Sequence, residues 1–220
     1  MKNLLVAQSG GPTSAINATL AGVIENALSS PSVDKIYGSI NGIQGVLNEN
    51  LVDLKTKIHN VSDLDLLCQT PASALGSCRV KLKDPAVCAD EYETIISVLR
   101  KHNIDCFIYI GGNDSMDTVD KLSKYLNDKG ISDITVVGAP KTIDNDLCGT
   151  DHCPGFGSAA KYIGTTFAEL ERDCHVYATK AVTIVEVMGR DAGWLTAASC
   201  LARANGAKGP DFIYLCEVPF

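Results

Sequence analysis

"CFIYIGGNDS", residues 106 to 115, joins a continuous apolar run to a glycine pair and three polar residues. The apolar run from Cys106 to Ile110 is short and rich in bulky residues, which is typical of a strand buried on both faces. After the glycines, apolar residues recur at helical spacing from Ser115 to Lys129. A buried strand that passes through a glycine turn into a helix is typical of parallel sheets. This stretch therefore predicts an α/β fold.

The same alternation of strand and helix extends along the whole chain. Further strands are predicted at Leu4 to Ala7, Ile134 to Gly138, Val182 to Val187 and Phe212 to Cys216. Helical spacing separates them at Ser14 to Leu28, Pro85 to His102, Gly157 to Asp173 and Gly193 to Asn205. Strand–helix–strand crossovers place strands in parallel, so we expect a layered, Rossmann-like, mostly parallel sheet with helices on both faces.

The composition is that of a protein with a buried core and an acidic surface. The chain has 220 residues, is 45% apolar and carries a net charge of −7. Because no basic stripe relieves this charge, we expect no nucleic-acid partner. No stretch reaches the roughly 18 apolar residues of a membrane span, and the first apolar run is too short for a secretory signal. We therefore expect a cytoplasmic protein without a membrane partner.

The nine cysteines are scattered through apolar segments, with no C-x-x-C pair. This distribution favours reduced thiols over a disulfide framework. An alternative concerns Cys148, His152 and Cys153, which are close enough in sequence to suggest a zinc knuckle, although no fourth ligand lies nearby.

Four predicted strands end in residues that suit a phosphorylated ligand, and ligands of open α/β sheets bind at the carboxyl ends of the strands. After the first strand, Gly10-Gly11-Pro12 opens a helix, which favours an anion site, although a plain tight turn has the same pattern. After the second, Asn113 and Asp114 offer oxygens to Mg²⁺, and the alternative is that Asp114 or Ser115 only caps the helix.

The other two strand ends carry charged residues. "PKTIDND", residues 140 to 146, brings a lysine and two aspartates to one strand end, and Met188-Gly189-Arg190 brings an arginine to another. Arginine suits a phosphate or a sugar hydroxyl, although Arg190 could instead pair with Asp191. Anion cradles, oxygen ligands, cations and a spare carboxylate together indicate phosphoryl transfer. A G-x-x-x-x-G-K-[ST] loop is missing, so the site is not of the Walker type.

Five motifs in this order and spacing closely resemble those of the phosphofructokinases. They are QSGGPTSAINA (8–18), LGSCR (75–79), GGNDS (111–115), PKTIDND (140–146) and VEVMGR (185–190). The resemblance covers essentially the whole chain, but only the first part of the family's length. It implies the phosphofructokinase fold and phosphoryl transfer to the 1-hydroxyl of fructose 6-phosphate.

The resemblance also implies roles for individual residues. Asp144 would be the general base, and catalysis would further involve Asp114, Lys141 and Arg190. The sugar phosphate would contact Thr142, Ile143, Asp144, Met188, Gly189 and Arg190. The phosphoryl donor would contact Gly11, Arg79, Asp114, Ser115 and Lys141. The cofactor would be Mg²⁺, held by Asn113 and Asp146.

Two positions predict which phosphoryl donor is used. ATP-using members of the family resemble GGDGS and PGTIDND, with glycine where this chain has Asp114 and Lys141. A carboxylate at position 114 would occupy the place of the ATP α-phosphate, and Lys141 would stabilise the leaving phosphate of a smaller donor. The pair resembles the diphosphate-dependent enzymes, so we expect diphosphate as the donor and a reversible reaction. The alternatives are an ATP-dependent enzyme and a non-catalytic regulatory subunit.

The resemblance further predicts how the chain is organised. Residues 1–147 would form the diphosphate-binding α/β domain, and residues 148–220 the incomplete start of the sugar-phosphate-binding domain. The chain ends directly after a predicted strand, as a truncated α/β domain would. Because the family's other sugar-phosphate ligands lie further along, we expect the isolated chain to be inactive and the full-length protein to be a homo-oligomer, a dimer or a tetramer.

Overall fold

The computed structural model of this chain describes residues 2–219. They form two compact units, which meet in sequence between Lys141 and Thr142. The first unit holds the sheet, and the second holds a long helix with two short ones. Assignment of one ligand to each unit stays a prediction.

The first unit contains one sheet of five strands in the order β3-β2-β1-β4-β5. Four strands are parallel, and only β3 runs antiparallel to its neighbour β2. The predicted mostly parallel sheet is therefore confirmed. The strands are β1 (Lys2–Gln8), β2 (Val33–Ser39), β3 (Leu51–Asp53), β4 (Ile104–Gly111) and β5 (Thr135–Pro140).

Seven α-helices connect or follow these strands in the described part of the chain. They are α1 (Ile16–Ser29), α2 (Gly42–Leu47), α3 (Val61–Gln69), α4 (Ala89–Lys101), α5 (Asn113–Asp128), α6 (Phe156–Cys174) and α7 (Trp194–Ala198). Turns of 3-10 helix span Leu54–Thr56 and Ser199–Asn205. None of the helices within residues 2–219 has the length and apolar character to cross a membrane.

The sheet is covered on both faces, as the apolar strands predict. Successive residues of β1 point to opposite faces. Leu5 belongs to a core cluster with residues of α4 and α5, and Leu4 belongs to a second cluster with residues of α1. Strands buried on both faces lose their alternation of polar and apolar residues, which is why β1 and β4 are recognisable from sequence as apolar runs.

Two predicted strands are wrong, at Val182–Val187 and Phe212–Cys216. Neither forms strand structure, and Val182 and Ile184 are 89% and 91% exposed. Strand propensity reflects packing on neighbouring strands, and within residues 2–219 these segments have no strand beside them.

The sequence prediction also missed β2, β3, α2 and α3. In β2 only the last part is buried, because Asp34 and Lys35 are exposed at its start. In α3 no residue is fully buried, so its apolar periodicity is weak. The predicted helix at 193–205 exists only as the short α7 followed by 3-10 turns, which end at Gly206 in a left-handed conformation with φ of 80°.

The second unit is built on α6. Its buried residues Ala160, Gly164 and Ala168 recur every fourth position and form a stripe of small side chains. The 3-10 turns pack on α6, and a Cβ on Gly164 would lie 2.9 Å from Cβ of Leu201. The absence of a side chain at position 164 therefore allows the close approach of these two elements.

Candidate active site

Three strand ends of the first unit lie side by side. The sheet order places β4 between β1 and β5, so the turns that follow these strands are neighbours. Ser9 N–H donates to the Ile110 carbonyl at 2.9 Å, and Lys141 N–H donates to the Gly111 carbonyl at 2.9 Å. The strand order reverses between β1 and β4, which is where open α/β sheets bind their ligands.

Lys141 lies between the two glycine turns. Its side chain crosses from the end of β5, and its Nζ donates a hydrogen bond to the Gly11 carbonyl at 2.5 Å. A Cβ on Gly10 would lie 3.2 Å from Nζ, and one on Gly112 would lie 3.7 Å away. Lys141 is only 4% exposed. A buried ammonium group is thus fixed beside the backbone of both turns, which suits an anionic ligand.

The LGSCR segment fixes the first glycine turn. The Cys78 carbonyl accepts hydrogen bonds from Gly10 N–H at 3.3 Å and from Ser9 Oγ at 3.1 Å. Ser77 Oγ donates to the Gly10 carbonyl at 2.5 Å. Arg79, the next residue after Cys78, is exposed. The hydrogen bonds therefore place the backbone of Arg79 beside the turn that carries Gly11.

The LGSCR segment contacts a buried polar cluster that includes the Cys78 thiol and the Tyr109 hydroxyl. Burial opposes ionisation of the Cys78 thiol, but backbone N–H groups of Val80 and Gln44 outweigh it, so that the pKa of Cys78 is lowered. Burial raises the pKa of Tyr109, whose hydroxyl accepts a hydrogen bond from Ile43 N–H at 3.2 Å. The cluster connects β4 and α2 to the LGSCR segment, whose Cys78 carbonyl in turn bonds the first glycine turn.

The second glycine turn leads directly into α5. The N-cap residue is Gly112, and no side chain caps the helix. The alternative in which Asp114 or Ser115 is the cap is therefore wrong, because both residues lie inside the first helical turn. Ser115 is buried and its N–H donates to the Gly112 carbonyl at 2.9 Å. An uncapped helix start favours anions through its exposed N–H groups.

Asp114 has a partner that the sequence prediction did not include. Its Oδ1 lies 2.7 Å from Nζ of Lys81, and both side chains are more than half exposed. Lys81 lies two residues after Arg79, in LGSCRVK, and this closeness to a predicted donor-binding residue is the feature of the sequence that could have indicated it. The first unit thus brings together Lys81 and Asp114, beside the turns that Lys141 joins.

The TIDND residues begin the second unit. Thr142 N–H donates to the Pro154 carbonyl at 3.1 Å, and the Thr142 hydroxyl accepts from Asp144 N–H at 3.1 Å. Asp144 is 8% exposed, and Ile143 beside it is half-buried. The turn thus holds a buried carboxylate, which is a type of group that can act as a general base.

Asn145 holds the turn in place. Its Nδ2 donates to the Asp151 carbonyl at 3.2 Å, and its Oδ1 accepts from Cys153 N–H at 2.8 Å. Its φ of 59° lies in the left-handed region, which asparagine tolerates well. Asp144 and Asp146 flank it, the first buried and the second exposed. The sequence prediction assigned no role to Asn145.

The Met188-Gly189-Arg190 segment forms a tight turn in the second unit. Ala192 N–H donates to the Gly189 carbonyl at 2.9 Å, and a Cβ on Gly189 would overlap the Ala192 carbonyl oxygen. Arg190 has a φ of 52° and is exposed, and Met188 is 69% exposed. Within the described residues Arg190 forms no salt bridge with Asp191, so the alternative of a structural pair is not supported.

Two exposed side chains have the chemistry of magnesium ligands. The amide of Asn113 and the carboxylate of Asp146 supply oxygen, which Mg²⁺ prefers. Within residues 2–219 no three His, Cys, Asp or Glu side chains cluster as a metal site, so the zinc knuckle is not formed. Mg²⁺ differs from zinc because it keeps waters and phosphate oxygens and takes only one or two protein ligands. Each of the two side chains, taken by itself, therefore has the chemistry of a magnesium ligand.

The fold is a mostly parallel α/β sheet with glycine turns at neighbouring strand ends. The family model for phosphofructokinase matches residues 3–220, so the chain belongs to the phosphofructokinase family.

Relatives and solved structures agree with this family. The pyrophosphate–fructose 6-phosphate 1-phosphotransferase of Xanthomonas campestris pv. campestris (strain B100) is 46% identical over 99% of this chain and 51% of its own length. A crystal structure of a pyrophosphate-dependent phosphofructokinase from Marinobacter aquaeolei matches with a TM-score of 0.85, at 43% identity over 100% of this chain and 54% of that one. The chain thus spans about half the length of the curated relatives it matches.

An ATP-dependent member of the family is more distant. The ATP-dependent 6-phosphofructokinase of Histophilus somni (strain 2336) is 31% identical over 100% of this chain and 61% of its own length.

Proposed function

We propose that the protein, at its complete native length, transfers a phosphoryl group from diphosphate to the 1-hydroxyl of D-fructose 6-phosphate. The products are fructose 1,6-bisphosphate and phosphate, and the reaction is reversible. The observation that carries the proposal is the position of Lys141, whose ammonium group is buried against both glycine turns. Relatives at 46% and 43% identity that are named for diphosphate-dependent enzymes support it.

The proposed donor site follows from the space beside the turns. An ammonium group at position 141 supplies positive charge where a small anion is held by backbone N–H groups. Asp114 occupies the first turn of α5, where its carboxylate would oppose the additional phosphate of a nucleotide. Positive charge from Lys141 suits the two phosphates of diphosphate, and Asp114 opposes the third phosphate of ATP. The site therefore favours diphosphate over ATP.

The proposed reaction needs no covalent intermediate. The sugar 1-hydroxyl oxygen attacks the nearer phosphorus of diphosphate, Asp144 takes the hydroxyl proton, and the bond to the bridging oxygen breaks to release phosphate. Lys141 stabilises the negative charge on the leaving phosphate. Contacts to the donor come from Gly11, Arg79, Asp114 and Ser115, and contacts to the sugar phosphate come from Thr142, Ile143, Met188, Gly189 and Arg190.

Magnesium is the proposed cofactor. Asn113 and Asp146 would hold the ion through their side-chain oxygens. When bound, Mg²⁺ neutralises charge on the phosphates during transfer.

We also propose a cytoplasmic homo-oligomer, a dimer or a tetramer. All nine cysteines are free thiols, which suits a reducing compartment. Light scattering of the native-length protein would give two or four times the chain mass, and the mass of one chain would contradict the proposal.

The test is a donor assay on the native-length protein. Formation of fructose 1,6-bisphosphate is measured with diphosphate or with ATP, each with Mg²⁺ and with excess chelator. We expect activity with diphosphate and Mg²⁺ only. Activity with ATP alone would show that the donor is misassigned beside a correct sugar site. Activity with neither donor would favour a regulatory subunit.

The donor assignment makes a further prediction for the double variant Asp114→Gly, Lys141→Gly. We expect diphosphate activity to fall by about 100-fold or more, because a transition-state cation is lost, and ATP use to rise. The KM for fructose 6-phosphate serves as an internal control and should stay near its original value. If ATP use does not rise, these two positions do not by themselves set the donor.

A further inference from the structure

The ion pair between Lys81 and Asp114 lies at the proposed donor site. Its Nζ and Oδ1 atoms are 2.7 Å apart, and the side chains are 66% and 59% exposed. An exposed ion pair contributes little to stability. Its place in the fold is therefore more informative than its contribution to folding, because Asp114 lies in the first turn of α5, the helix that begins directly after Gly112.

The backbone around Lys81 is fixed along one face of α5. Leu82 is fully buried, and its carbonyl accepts a hydrogen bond from Nζ of Lys121 at 3.1 Å. The carbonyl of the next residue, Lys83, accepts from Tyr92 Oη at 2.6 Å. Asp114 and Lys121 are seven residues apart, so they lie on the same face of the helix. The segment thus runs along this face and presents Lys81 to Asp114.

Asp114 poses an electrostatic problem for the proposed function. A carboxylate that discourages a nucleotide by its charge would also repel diphosphate, which is itself highly anionic. The N–H groups at the start of α5 offer partial positive charge against this repulsion, and the Lys141 ammonium lies beside the glycine turns, but neither is paired with Asp114 in the ion pair that Lys81 forms. A full positive charge next to Asp114 removes the conflict.

We propose that Lys81 neutralises Asp114, so that Asp114 selects against nucleotides by the space it occupies and not by repelling every anionic donor. This inference rests on the proposed diphosphate-dependent function. Lys81 is in this sense a positioning residue that determines donor affinity through Asp114. Its own contact with diphosphate is not required.

The test uses Lys81→Met in the native-length protein and measures steady-state kinetics. We expect the KM for diphosphate to rise about tenfold or more, which corresponds to the loss of one favourable charge interaction. The kcat and the KM for fructose 6-phosphate should change by less than about threefold. Lys81→Arg keeps the charge and should keep the KM for diphosphate near its original value. A loss in Lys81→Arg as large as in Lys81→Met would overturn the charge argument.

A second variant separates action through Asp114 from direct binding. Asp114→Asn removes the charge that Lys81 neutralises. Adding Lys81→Met to Asp114→Asn should therefore change the KM for diphosphate by less than about threefold. If Lys81→Met is equally harmful in both backgrounds, Lys81 acts on the donor directly and the inference is wrong.

The chain offers a closely matched control in the same helix. Lys124 and Asp120 also form a 2.7 Å ion pair, with side chains 71% and 57% exposed. Lys124→Met should leave every kinetic constant unchanged, and equal kinetic effects of Lys124→Met and Lys81→Met would overturn the inference. Normal diphosphate activity in Lys81→Met would overturn the inference about Lys81 but not the proposed function. A lack of diphosphate activity in the unsubstituted protein would overturn the proposed function as well.

Discussion

Asn145 shows how a single side chain can fix two others. Its amide bonds the backbone at Asp151 and Cys153, and its left-handed φ turns the chain between Asp144 and Asp146. The two carboxylates are therefore held in different surroundings, one buried and one exposed. The proposed function assigns proton acceptance to the buried carboxylate and Mg²⁺ binding to the exposed one.

Asn145→Gly should separate this role from backbone conformation, because glycine also tolerates the left-handed φ. We expect the variant to lose about 1–3 kcal/mol of stability, since the buried Cys153 N–H loses its partner. We also expect kcat to fall more than the KM for fructose 6-phosphate rises, because Asp144 is held less firmly. Urea unfolding and steady-state kinetics measure the two effects. Lower stability with unchanged kcat would mean that Asn145 acts only on folding.

At the scale of elements, the turn from β4 into α5 is more closely packed than the glycine turn after β1. A Cβ on Gly111 would overlap the side chain of Ser115 and lie 3.2 Å from the Ser9 carbonyl oxygen. A Cβ on Gly112 would meet nothing closer than Nζ of Lys141 at 3.7 Å, an ordinary contact. Packing therefore excludes a side chain at position 111 but not at position 112.

Gly111→Ala and Gly112→Ala form a matched pair that tests this difference. We expect Gly111→Ala to destabilise the protein by about 1–3 kcal/mol, because the start of α5 must move. Gly112→Ala should leave the free energy of unfolding within about 0.5 kcal/mol of the original value. Chemical denaturation measures both. Equal losses would show that the β4–α5 turn is not fixed by the packing at Gly111.

For the whole molecule, the two units differ in how their backbone is bonded. The first has a five-stranded sheet with a core on each face. In the second, the apolar run Val182–Val187 forms no strand, and its residues 182–186 are exposed. Apolar residues in an extended segment do not protect its amide groups when no ladder of hydrogen bonds forms.

Hydrogen exchange on the chain of residues 1–220 should therefore differ sharply between the units. We expect amides of β1 and β4 to exchange slowly and those of residues 182–187 to exchange within the fastest group, because only the former bond neighbouring strands. Mass spectrometry of the exchanged peptides gives the comparison. Protection of residues 182–187 equal to that of β4 would indicate that this run pairs as a strand.

The sequence by itself determined the class of fold, the order of the motifs and the family. Continuous apolar runs mark β1 and β4 because central strands are buried on both faces, and glycine turns mark the ends of strands because few other residues allow such close approach. Lys141 and Asp144 were predictable as candidates because charged residues directly after a buried strand need a partner or a ligand.

Only the tertiary structure decided what these residues touch. It brought Lys141 to Gly11, 130 positions away in sequence, and Lys81 to Asp114, from which α4 and β4 separate it in sequence. It also showed that the apolar runs at 182–187 and 212–216 form no strands in this chain. The physical reason is the same in each case: local residue type sets what a segment can form, but pairing, burial and charge neutralisation depend on partners that are distant in sequence.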